Sequence, residues 1–143
     1  MAAVPIILCG KSPMIATTVK NNLLPKYKVI HVILTPEAGV SDIPLLLEGK
    51  TPPSSDPGDL GTRDYSQRAA AVVTGGGYDD AAFQIMRDAC KGKSNIPWLR
   101  PDLSVPTPPL GPLYGKAMVE RVKACLDSLA EEGKLGEDSI RFF

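Results

Sequence analysis

Four short apolar runs constrain this chain more than any other feature. They cover residues 4–9, 29–34, 69–74 and 96–99, and each is followed by capping residues or helical spacing. Short, nearly continuous apolar runs suit strands buried on both faces, as in a parallel sheet sandwiched by helices. After the first run, Ser12-Pro13 supplies a favoured N-cap and a favoured first helical residue. Ile15, Val19 and Leu23 follow at helical spacing, and Pro25 stops the segment. Thr35-Pro36 ends the second run. Ser41-Asp42 then predicts the cap of a short helix over 43–48, with Pro44 in its first turn, where proline is tolerated. Asp79 or Asp80 caps a third helix whose inner face carries Ala82, Ile85, Met86 and Ala89, with Gly92 as its stop. The clearest helix repeats Met118, Val122, Cys125, Leu126 and Leu129 on one face and ends at Gly133.

This alternation predicts one α/β domain over 1–143: a three-layer, Rossmann-like fold with a short four-stranded parallel sheet. Right-handed crossovers leave the strand order 2-1-3-4, with helices on both faces. Pro97 marks the fourth strand as an edge or irregular strand. Two segments stand outside the alternation. Residues 50–68 form a long polar loop rich in Pro, Ser and Gly, the signature of a lid or a disordered connection. Residues 101–115 form a second, proline-rich loop. The two phenylalanines of the closing segment, Phe142 and Phe143, predict docking on the domain itself or on a partner.

Charge and cysteine usage exclude several function classes. Sixteen basic residues balance sixteen acidic ones, so nothing draws the chain to nucleic acid or to an anionic membrane. Low net charge favours self-association, which together with the apolar tail predicts a homodimer. No run approaches the roughly 18 apolar residues of a membrane span, and no basic segment precedes a long apolar one as in a secretory signal. Cys9, Cys90 and Cys125 lie in or beside apolar runs without CxxC spacing, which fits buried thiols in a reducing, cytoplasmic setting. His31 is the single histidine. It alternates with Val29 and Ile33 on one strand face, and one histidine with scattered cysteines supplies no metal site.

Ligands of open parallel sheets bind beyond the carboxyl ends of the strands, where strand order reverses. In the order 2-1-3-4 that point lies between strands one and three. Gly10-Lys11-Ser12 and Gly75-Gly76-Gly77-Tyr78 meet there, both leading into helices whose N-termini favour anions. Lys11 adds a full positive charge. The dinucleotide fingerprint G-x-G-x-x-G is absent, and no acidic residue ends strand two. Lys11 and Thr35 suit a ribose phosphate instead, which leans toward NADP over NAD. Arg100 offers paired donors for a phosphate or carboxylate, with Asp102 as its structural partner. Trp98 and Tyr114 lie near the same end of the sheet.

The segments Cys9-Gly10-Lys11-Ser12-Pro13, Thr74-Gly75-Gly76-Gly77-Tyr78-Asp79-Asp80 and Pro97-Trp98-Leu99-Arg100-Pro101-Asp102 resemble a family of small fungal proteins described as having a Rossmann-like NAD(P)-binding fold. The likeness spans most of the chain. It implies the fold and an NAD(P) cofactor, and it brings no catalytic residues. The first loop alone is similar to the phosphocysteine loop of phosphotransferase IIB proteins, which implies a nucleophilic Cys9 at a helix N-terminus. Three functions follow as expectations: a nucleotide- or anion-binding domain, a non-enzymatic interaction protein that keeps the fold, and a phosphoryl or thiol enzyme using Cys9.

Overall fold

The computed structural model describes residues 3–52, 60–109 and 111–143. Among the described residues nine elements alternate: β1 (Val4–Cys9), α1 (Pro13–Leu23), β2 (Tyr27–Ile33), α2 (Pro36–Leu47), β3 (Val72–Thr74), α3 (Asp80–Ala89), β4 (Pro97–Arg100), α4 (Pro112–Glu131) and β5 (Ser139–Phe142). The sheet is parallel with order β2-β1-β3-β4-β5. The expected α/β architecture and the reversal between β1 and β3 are therefore present. The sheet has five strands, one more than the four expected.

The fifth strand is the closing segment. Ser139 to Phe142 pair in parallel register with Pro97 to Arg100. Four residues give too short a run to show a strand's period, and only the neighbouring strand supplies hydrogen-bond partners. β5 also moves β4 from the edge to the interior. Pro97 is tolerated there because it is the first residue of the strand, where a missing N–H costs little.

Side chains divide into two cores, one on each face. Val19, Leu23, Val122 and Leu126 of α1 and α4 pack against Leu8, Val29 and Val73. Ile43 and Leu46 of α2, with Phe83 and Met86 of α3, pack against Ile7, Ile33 and Trp98. On α3 the buried positions are Phe83 and Met86, whereas Ile85 is exposed. The expected inner face is thus rotated toward Phe83. Thr18 approaches Gly115 so closely that a Cβ there would lie 3.0 Å from its methyl group, so the glycine lets α1 and α4 meet. Gly133, with φ +71°, closes α4 in the left-handed conformation that glycine adopts at no steric cost.

Two boundaries differ from expectation. α2 begins at Pro36, not at Ile43, because Thr35 is its N-cap and accepts a hydrogen bond from Ala38 N–H at 3.1 Å. Thr35-Pro36 is itself a cap and first-residue pair. Pro44 consequently lies inside the helix, and Asp42 turns inward. α4 begins at Pro112, so its first turn uses the end of the predicted 101–115 loop. Here too proline occupies a first helical position.

β2 carries a bulge. The pairing with β1 runs Ile6 to Val29 and then Ile7 to His31, leaving Ile30 as the extra residue. The bulge shifts the alternation. Val29 faces α1 and α4, while His31 faces α2, so the two do not share a face as their spacing predicts. His31 is buried, with Nε2 3.0 Å from Asp42 Oδ2 and Nδ1 2.7 Å from Tyr65 Oη.

Part of the long polar loop is placed by this edge. Residues 53–59 lie outside the described residues. Beyond them, Thr62 and Arg63 N–H donate to the Val29 and Ile30 carbonyls at 3.0 and 2.9 Å. A Cβ on Gly61 would lie 2.7 Å from His31 Cα, so only glycine allows this approach. This half of the loop covers the free edge of β2 and shields its unpaired backbone groups.

A polar chain anchors the entry to β5. Trp98 Nε1 donates to Ser94 Oγ at 3.0 Å, and Ser94 Oγ donates to Asp138 Oδ1 at 2.7 Å. Arg87 adds bonds of 2.5 and 3.2 Å to the same carboxylate. Partial burial opposes the charge on Asp138, but Arg87 and Ser94 outweigh it and hold the carboxyl below its usual range. A depressed carboxyl pKa stabilises the fold above the unfolded value, and that contribution is lost as pH falls through the folded one. The melting temperature of the wild type is expected to fall more between pH 5 and pH 3 than that of Asp138→Asn. Parallel pH profiles for the two proteins would contradict this role.

Candidate functional site

A cavity of about 220 Å³ opens at the carboxyl ends of β1 and β3, between the sheet, α1 and α4. Gly10, Lys11, Ser12, Gly75, Gly76 and Gly77 all line it, so the fold brings together six of the residues singled out from sequence. Thr35 and Arg100 are not among its lining residues. Thr35 caps α2. Arg100 turns to the α3 face, where it lies 4.4 Å from the centre of the Phe83 ring and 2.8 Å from Asp80. Asp102, its expected partner, instead accepts hydrogen bonds from Ser104, which hold its carboxyl below the usual range.

The two turns are locked to each other. Gly10 N–H donates to the Ile33 carbonyl at 2.9 Å, and Gly75 N–H to the Cys9 carbonyl at 2.8 Å. These two amides are therefore occupied. Tyr78 is buried beneath them, and its hydroxyl reaches the Ile33 and Gly10 carbonyls at 3.1 and 3.3 Å. Burial pushes its phenol well above the usual range, so it stays a donor. Among the described residues, no partner occurs for the N–H groups of Lys11, Ser12, Gly76 and Gly77.

Conformation does not explain the glycines. None of Gly10, Gly75, Gly76 and Gly77 has the positive φ that would require glycine. A Cβ on Gly10 would meet nothing within 4 Å. On Gly76 it would face the Tyr114 hydroxyl at 3.5 Å, and on Gly77 the Lys11 side chain at 3.2 Å. Their small size keeps a narrow mouth open between Lys11 and Tyr114.

The lining has two parts. At the mouth are Lys11, whose amine lies 5.6 Å from the centre of the Tyr78 ring, and Tyr114. Lys11 makes no ion pair with any described carboxylate. The N-cap Ser12 accepts from Ile15 N–H at 3.3 Å and starts α1, which brings its N-terminal partial positive charge to the mouth. Below it the wall is apolar: Val19, Val73, Met118, Val122 and Phe143. Thr74 also lines the cavity, and its hydroxyl donates to the Leu99 carbonyl at 2.8 Å.

Sequence reasoning missed Phe143 as part of this wall, because that placement depends on β5. It read Met118 and Val122 as core, which they are, without their second role. Cys9 is fully buried, and desolvation pushes its thiol well above the ordinary range. The Cys9 enzyme therefore lacks an accessible thiolate. Trp98 is core, edge-on to Phe83 at 5.8 Å. Among the described residues, no group of three or more His, Cys, Asp or Glu is placed to hold a metal ion.

The chain is 34% identical over 146 residues to the Aspergillus oryzae protein named Kojic acid related protein 6. The match covers 99% of this chain and 87% of that protein. This chain belongs to the same family. No family model matches it, and no solved structure matches it. Among the described residues, no helix is long and apolar enough to cross a membrane.

Proposed function

We propose that this chain binds a small anionic ligand at the carboxyl ends of β1 and β3. The observation that carries the reading is the cavity mouth: four N–H groups without a partner in the described chain, a lysine without an ion pair and a helix N-terminus border one opening. Such a constellation favours negative charge. The family resemblance puts NADP and NAD among the candidates. The space favours something smaller, since pockets for drug-sized ligands span roughly 300–1,000 Å³. Thr35 stands away from the cavity, which removes one of the two groups favouring NADP.

A thermal-shift panel tests the proposal with phosphate, sulfate, ATP, NAD and NADP, and with kojic acid on account of the relative's name. A ligand at a hundred times its Kd adds about 2.7 kcal/mol of stability. At least one anion is expected to raise the melting temperature by several degrees. If none moves it, the proposal fails.

The second reading is a non-enzymatic interaction protein that forms a homodimer. It is favoured by β5, an edge strand with Ile140 and Phe142 exposed. A monomeric mass in light scattering at micromolar concentration would remove it.

A further inference from the structure

We infer that the ligand of this crevice is an amphipathic anion, with a compact apolar body between α1 and α4 and its charged head at the Lys11 and Gly76 turns. The inference rests on the anion reading above and adds the class of molecule.

The cavity is divided by chemistry along its depth. Among the described residues, its uncommitted polar side chains are Lys11 and Tyr114, and both stand at the mouth. A Cβ on Gly76 would lie 3.5 Å from the Tyr114 hydroxyl, and one on Gly77 would lie 3.2 Å from Lys11 Cδ, so these groups flank one narrow opening. The deeper hydroxyl, Thr74, is spent on the Leu99 carbonyl. The buried Val19, Val73, Met118 and Val122, with the half-buried Phe143, offer no donor and no acceptor from their side chains.

Each alternative occupant meets a mismatch. A simple inorganic anion would use the mouth alone and leave the apolar wall without contacts. A dinucleotide would press riboses and a second phosphate against Val122 and Phe143, where buried polar groups find no partner. A neutral apolar molecule would fill the interior and leave the Lys11 amine and the amides unused. A short chain or single ring ending in a phosphate or carboxylate satisfies both parts. A void lined by core side chains lowers stability unless it is filled, and this one is open to solvent through a polar mouth.

Isothermal titration of the full chain with inorganic phosphate, then methyl, butyl and hexyl phosphate, and with neutral 1-hexanol, tests this. Affinity is expected to rise about fourfold per buried methylene until the interior is full, and 1-hexanol is expected to bind at least tenfold more weakly than hexyl phosphate. Val122→Trp is expected to flatten the dependence on chain length. Ala16→Leu serves the same purpose should the first variant fail to fold, and the wild-type series decides the matter without either.

If hexyl phosphate binds no more tightly than inorganic phosphate, the amphipathic inference is overturned and the anion reading stands. If 1-hexanol binds as tightly as hexyl phosphate, the charged head is irrelevant and both are overturned. If no phosphate binds at all, both are overturned as well. A chain-length gain that survives in folded Val122→Trp would place the body elsewhere and overturn the inference.

Discussion

Replacing Trp98 with alanine is expected to destabilise the protein by about 3–5 kcal/mol, the cost of a large aromatic lost from a packed core. Trp98 is fully buried in the layer formed with α2 and α3. Its ring meets Phe83 edge-on, and the Arg87 guanidinium lies 5.4 Å from its centre. Its indole N–H donates to Ser94, which in turn holds Asp138 at the entry to β5. The substitution therefore removes packing volume and one link of a polar chain together. For a domain of this size the melting temperature should fall by roughly 10–15 °C. Chemical denaturation checks the figure. A loss below about 1 kcal/mol would show that Trp98 is a surface or ligand-stacking residue instead.

Gly76→Val is expected to abolish ligand binding while leaving stability nearly unchanged. The backbone at Gly76 does not need glycine, and an added Cβ meets only the Tyr114 hydroxyl at ordinary contact distance. The fold should therefore accept valine within about 0.5 kcal/mol. The branched side chain, however, stands in the mouth between Tyr114 and Lys11. Titration with whichever anion binds the wild type should show at least a tenfold loss. Gly10→Ala is the contrasting variant. Its Cβ meets nothing within 4 Å, so it should gain about 0.4–1 kcal/mol from a less flexible unfolded chain. Wild-type affinity in Gly76→Val would place the ligand elsewhere.

The pairing of these two glycines shows how far the sequence could be read. Glycine after a parallel strand is ambiguous, because a turn and a ligand both ask for it. Only the φ angles and the surrounding space separate the two demands. Lys11 and Ser12 were legible because a cap and a charge keep their meaning in any α/β fold. Arg100 was misplaced because its position at the end of a strand does not say which face its side chain takes. Tertiary packing chose the α3 face, where Asp80 and the Phe83 ring receive it.

The sequence by itself determined the alternation of strands and helices, the cap at Ser12, a cap at Asp79 or Asp80, the stops at Gly92 and Gly133, and the meeting of the two glycine turns. These depend on local conformational preference and on which strands right-handed crossovers make neighbours. Only the tertiary structure decided the fifth strand, the bulge at Ile30 and the inward turn of Asp42 to His31. Each rests on a hydrogen-bond partner in another element. The apolar depth of the cavity belongs with them, since Val19, Val73, Met118 and Phe143 become one wall only when α1, β3, α4 and the segment after β5 are packed together.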